Sequence, residues 1–100
     1  MTNKLYNKQD FELAINGIDY KLTCFTQDTR TGFRHLCFHT SICQDGTPNT
    51  KDCIAKCVYY NRTWEEYCYQ SVLREAVTKI LYELTYSTIN KPMDTVREVR

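Results

Sequence analysis

The chain opens with a period-two pattern. Phe11, Leu13 and Ile15 alternate with polar or small residues, Asn16-Gly17 intervenes, and Ile18, Tyr20, Leu22 and Cys24 resume the alternation. Asn-Gly accepts the positive φ angles of a type I′ turn, whose twist matches that of paired strands. A two-residue loop pairs Ile15 with Ile18, Leu13 with Tyr20 and Phe11 with Leu22, so every apolar residue of both strands falls on one face. Pattern and turn chemistry agree on a hairpin.

Residues 27–32 are polar and end in Gly32, which marks a second turn, and a third strand is expected over 33–42. There Leu36 and Phe38 continue the apolar face, while Phe33, His35, Cys37 and His39 take the other, with more than one register open. Residues 44–51 (QDGTPNTK) read as a loop. The period then changes. Val72, Leu73, Ala76, Val77, Ile80, Leu81 and Leu84 form a stripe on a 3.6-residue repeat, which predicts a helix over 71–86 with Ser71 as N-cap. Arg74, Glu75, Thr78, Lys79 and Glu83 fill its solvated side, and Glu75 and Lys79 are spaced for an i,i+4 pair.

Residues 53–70 (CIAKCVYYNRTWEEYCYQ) admit two readings. One is a second hairpin turning at Asn61-Arg62. The other starts the helix early, with Thr63 and Glu66 as a capping box. An early helix would spread Trp64, Tyr67, Cys68 and Tyr69 nearly all round its axis, and aromatic residues favour strands, so the hairpin is preferred. The expected fold is α+β: an antiparallel sheet of four to five strands with one C-terminal amphipathic helix packed on one face. Residues 1–90 make a single domain, and 91–100 a flexible C-terminal tail.

Composition narrows the function. The charges are mixed and sum to +1, which argues against a dedicated duplex-DNA binder with its strong basic patch. The polar N-terminus lacks the apolar core of a signal peptide, and no stretch approaches the ~20 apolar residues of a membrane helix. The expected location is therefore cytoplasmic, with no membrane partner, and the six cysteines are expected as thiols.

The cysteines are also the first candidates for chemistry. His35, Cys37 and His39 share one strand face and Cys43 follows, while Cys53, Cys57 and Cys68 share another in the hairpin register. A zinc ion wants four such ligands, but no CxxC knuckle is present, so Cys as a small buried hydrophobe is the preferred reading and a zinc-stabilised module an alternative. A Cys-His nucleophile lacks an oxyanion site or strand-to-helix elbow. Glu65 and Glu66 point to opposite faces of a strand, and the glycines form no phosphate cradle. The expectation is no enzyme, no catalytic residue, no metal and no cofactor.

Binding surfaces remain. A sheet backed by one helix leaves a face open, which would hold Phe25, Phe33, Cys37, Tyr67 and Tyr69, and such patches mark partner or self-association sites. Edge pairing would give a homodimer with a continuous sheet. A single-stranded nucleic-acid module is the alternative: Arg30, Arg34, Lys56 and Arg62 would hold phosphates while Phe25, Phe33, Tyr59, Tyr60 and Tyr67 stack on bases.

The segment 57–77 (CVYYNRTWEEYCYQSVLREAV), through YYNRTWE, Tyr-x-Tyr and Ser-Val-Leu, resembles small uncharacterised accessory proteins of phages and mobile elements of Gram-positive bacteria. The match covers about a fifth of the chain and implies no catalytic residue. It implies a setting: cytoplasm of a bacterial host, and action by binding a host protein or complex, for example as an inhibitor of a defence system such as a CRISPR effector. The residues singled out for partner contact are Tyr59, Tyr60, Asn61, Arg62, Trp64 and Tyr67, with Asn61 and Arg62 at the tip of the second hairpin.

Overall fold

The computed structural model describes residues 4–61 and 68–94, with helix side chains described as far as residue 86. Four strands, β1 (Leu5–Ile15), β2 (Ile18–Asp28), β3 (Phe33–His39) and β4 (Ala55–Tyr59), form one antiparallel sheet in the order β1-β2-β3-β4. The helix α1 (Gln70–Asp94) follows and packs mainly over β4 and β3. The α+β architecture is as expected.

The first hairpin has the register read from the sequence. Ile15 pairs with Ile18, Leu13 with Tyr20 and Phe11 with Leu22. Asn16 and Gly17 take φ of 53° and 78°, the left-handed pair a type I′ turn requires. Further along, the pairing slips between Tyr6 and Gln9, where Asn7 sits at φ 57°. This is a β-bulge, which re-aims the start of the strand.

The third strand departs from expectation. It ends at His39, and the chain turns into a 3-10 helix, Thr40–Cys43, instead of continuing to residue 42. Its facing is also reversed. Cys37 pairs with Cys24 and His35 with Thr26, so Phe33, His35 and Cys37 lie under α1, while Leu36 and Phe38 face away from it with Phe25. Directly paired residues share a face of a sheet, so this register decides the facing. Both faces of β3 are apolar enough to be buried, which is why alternation alone did not show which one meets the helix.

The described residues hold two hydrophobic clusters as a result. Beneath α1, Leu22, Cys24, Cys37, Ala55, Val72 and Ala76 are all but sealed from solvent. On the far side Leu5, Phe25, Leu36, Phe38 and Cys43 form a second cluster, with half-buried Cys53 against it. Burying a side chain such as Phe38 or Leu36 contributes about 1.5–3 kcal/mol. The expected open face is therefore corrected: Phe25, Phe33, Cys37 and Tyr69 are all buried.

The second hairpin is found only in its first strand, β4. The residues that would turn it and return, 62–67, lie outside those described, and α1 already begins at Gln70. Ser71 is not its N-cap. The carbonyl of Tyr69 accepts from the Leu73 N–H at 2.9 Å, so Tyr69 takes the capping position. The helix also continues to Asp94, beyond the residue-86 end expected from its stripe, and 95–100 lie outside the described residues.

Candidate partner-binding surface

A buried polar chain fixes the start of α1 to the sheet. Tyr69 donates its phenolic hydrogen to the Asn7 carbonyl at 2.6 Å. Its oxygen is also 2.9 Å from Thr26 Oγ1, which lies 3.1 Å from His35 Nδ1. A backbone carbonyl only accepts, so the single Tyr69 hydrogen is committed to Asn7, Thr26 donates to Tyr69, and His35 Nδ1–H donates to Thr26. The geometry thus assigns the hydrogen on His35 to Nδ1. Around that imidazole the rings of Tyr69, Tyr59 and Phe33 lie 4.6, 5.1 and 5.2 Å away, centroid to centroid. The β1 bulge has a structural use here, since it presents the Asn7 carbonyl to Tyr69.

Tyr59 belongs to this buried assembly. Its ring stacks on Phe33 at 4.9 Å and 18° and is half-buried. Of the six residues singled out from the sequence, it is therefore an anchor. Tyr60 is 76% exposed and Asn61 is exposed beside it. Arg62, Trp64 and Tyr67 lie outside the described residues.

The β2–β3 turn abuts the end of β4. Its Thr29 N–H donates to the Gly32 carbonyl at 2.9 Å. A Cβ on Gly32 would run into the Tyr59 carbonyl oxygen and come within 2.9 Å of the Tyr60 Cα. Only glycine permits this approach, and through it the turn braces Tyr60. Arg30 and Thr31 are exposed on that turn. Together, Arg30, Thr31, Tyr60 and Asn61 occupy one corner of the domain, on backbone held from below by Tyr59, Phe33 and His35. An exposed amphipathic ring on braced backbone, with an arginine on the adjoining turn, has the residue types of a binding hot spot.

The other candidates assemble differently. His35 and Cys37 are buried under α1, His39 is exposed at the strand end, and Cys43 lies on the opposite face. Among the described residues no group of three or more His, Cys, Asp or Glu side chains is placed to hold a metal ion. All six cysteines are free. The Cys24 thiol is pushed well above the ordinary range by its hydrogen bond with Cys37 and by burial. Burial also raises the Cys43 and Cys57 thiols, and at Cys57 Glu75 adds to the effect while Lys79 opposes it. Protonated thiols are poor nucleophiles. A cleft of about 230 Å³ lined by Tyr20, His39, Ile80, Glu83 and Leu84 is open on one side and has no buried polar group converging on it. No described helix is long and apolar enough to cross a membrane.

Two exposed residues escaped the sequence reading. Tyr82 and Tyr86 stand 69% and 59% exposed on α1 with rings stacked 6.3 Å apart. Their i,i+4 spacing was the available signal, but the solvated side of the helix was assigned by its charges alone. No family model matches the chain, and neither a curated protein nor a solved structure is significantly similar to it.

Proposed function

We propose that this is an accessory protein of phage or mobile-element origin that acts by binding a host protein, with the corner formed by Arg30, Thr31, Tyr60 and Asn61 as its contact surface. The observation that carries the binding reading is the close approach of Gly32 to the Tyr59–Tyr60 backbone, which fixes the main chain beneath a largely exposed tyrosine, while the same turn carries an exposed arginine. A backbone already fixed in place leaves only side-chain freedom to be lost on binding. The setting rests on the YYNRTWE resemblance, whose first residues, Tyr59 to Asn61, lie at this corner. In that setting the partner is a host protein complex, such as a CRISPR effector or another defence enzyme, blocked by occupation of its surface. The near-neutral charge favours shape-specific contact over mimicry of nucleic acid. The stacking reading is disfavoured, because Phe25 and Phe33 are buried and Tyr59 is packed.

The test is a titration of a purified host partner, first identified by capture, with wild-type protein and with Tyr60→Ala/Arg30→Ala. A loss of two or more orders of magnitude in affinity, with an unchanged thermal melt, supports the corner. Equal affinity of the two proteins would remove it.

A further inference from the structure

The strand register joins two cysteines that lie far apart in sequence. Among the described strand pairings, only Cys24 with Cys37 sets cysteine directly opposite cysteine. Both side chains are fully buried, in the cluster they share with Val72 and Ala76 of α1. The Cys24 thiol hydrogen-bonds with Cys37.

The ladder decides whether two such residues can be bridged. In an antiparallel pair, hydrogen-bonded and non-hydrogen-bonded positions alternate, and side chains approach most closely at the latter. The Thr29 N–H donates to the Gly32 carbonyl where β2 turns into β3, so these two residues occupy a hydrogen-bonded position. The alternation then makes 27/34 and 25/36 hydrogen-bonded, and leaves 28/33, 26/35 and 24/37 without ladder bonds between them. The other side of β3 agrees. The Ile54 N–H donates to the Cys37 carbonyl at 2.7 Å, so the backbone groups of Cys37 point away from Cys24. Residues opposed at a non-hydrogen-bonded position have Cα atoms about 4.5 Å apart, inside the roughly 4.4–6.8 Å that disulfides span. The other cysteines lack this placement. Cys57 lies opposite His35, and Cys43 and Cys53 belong to the cluster on the far side of the sheet.

We propose that Cys24 and Cys37 are a reversible redox site, at which a small-molecule disulfide such as oxidised glutathione converts the two free thiols into a cross-strand disulfide beneath α1. The thiolate of one cysteine attacks the oxidant, forms a mixed disulfide and releases one glutathione thiolate. The second cysteine, deprotonated in turn, attacks the sulfur of the first and releases the other. Two S–H bonds are exchanged for one S–S bond, the two cysteine sulfurs are oxidised, and the two protons and two electrons leave in two molecules of reduced glutathione. Both thiols are sealed from solvent, so the exchange runs through a state in which α1 has opened, and the folded protein is slow to oxidise. A Cα separation at the short end of the range makes the bond easier to reduce than a relaxed one. The bond ties β2 to β3 below the turn that carries Arg30 and Thr31, but its formation does not depend on that corner binding a partner.

The test is to refold the reduced full chain from urea into a buffer of oxidised and reduced glutathione, where access no longer limits exchange, and to map the bonds at equilibrium. After free thiols are alkylated, trypsin cleaves at Lys21, Arg30, Arg34 and Lys51, which places Cys24 in peptide 22–30 and Cys37 in peptide 35–51 together with Cys43. The expected product is these two peptides joined, with fragmentation putting the bond on Cys37 and the alkyl group on Cys43, and a dithiol reductant should separate them. The fold favours the bond as much as the bond favours the fold, so keeping urea in the buffer should cut the ratio of bonded to free pair about tenfold or more. Recovery of Cys24 and Cys37 mainly as alkylated thiols after refolding would overturn the proposal. So would a bond from either one to a different cysteine, or an equal ratio with and without urea.

Discussion

Replacing Thr26 by Val tests the buried chain that seats α1 on the sheet. Thr26 is fully buried, and valine keeps its branched shape, so packing is nearly preserved. What disappears is the hydroxyl that accepts from His35 at 3.1 Å and donates to Tyr69 at 2.9 Å. His35 would then keep a ring nitrogen facing a methyl group, and changing tautomer would only exchange an unmet donor for an unmet acceptor. A stranded buried polar group costs about 1–3 kcal/mol, whereas Tyr69, still donating to Asn7, loses only an ordinary bond of about 1 kcal/mol. Added apolar surface on valine offsets part of this, leaving a net loss of about 2 kcal/mol. For a domain of this size that lowers Tm by about 8–16 °C. Thermal unfolding followed by far-ultraviolet circular dichroism measures it directly. A Thr26→Val protein that melts within about 2 °C of wild type, less than 0.5 kcal/mol, would show that the hydroxyl is not a link. The cycle with Tyr69→Phe sharpens the test. Groups in one network couple by about 0.5–3 kcal/mol, and strictly additive losses would refute the shared chain.

Two further expectations follow from other parts of the molecule. Gly32→Ala drives a Cβ into the Tyr59 backbone, and should cost about 1–3 kcal/mol by overpacking while displacing Tyr60; denaturant unfolding and partner titration should both register it, and a variant matching wild type in both would contradict the brace. The raised thiols set the alkaline limit. Below the ordinary thiol value of 9.0, Cys24 is protonated in both folded and unfolded chains, whereas above it only the unfolded chain releases the proton. Stability should therefore fall as pH rises beyond about 9, approaching 1.4 kcal/mol per pH unit from Cys24. Urea unfolding at increasing pH should show a shallower decline in Cys24→Ala/Cys37→Ala, and equal slopes would refute the assignment.

The parts legible in the sequence were those where one residue type has a single structural use. Asn16-Gly17 admits one kind of turn, and that turn set the register of β1 against β2. The helix stripe was equally plain, because Val72, Ala76 and Ile80 recur on one face and are the residues found buried. The β2–β3 turn has no such marker, and β3 is apolar on both sides, so the pattern could not say whether Cys37 or Leu36 met the helix. Thr26, His35 and Tyr69 read individually as surface residues, and only the tertiary pairing joins them in the core. At the candidate corner, Tyr60 and Asn61 are legible from the turn expected at Asn61-Arg62. The close contact of Gly32 joins residues distant in sequence, and Tyr59 became an anchor because Phe33 falls opposite it.

The most direct test of the central claim is hydrogen–deuterium exchange of the protein with and without its purified host partner. The account predicts new protection in the β2–β3 turn around Arg30 and at Tyr60 and Asn61, with the first hairpin unchanged. Protection centred on the first hairpin, with the corner exchanging as fast as in the free protein, would contradict it.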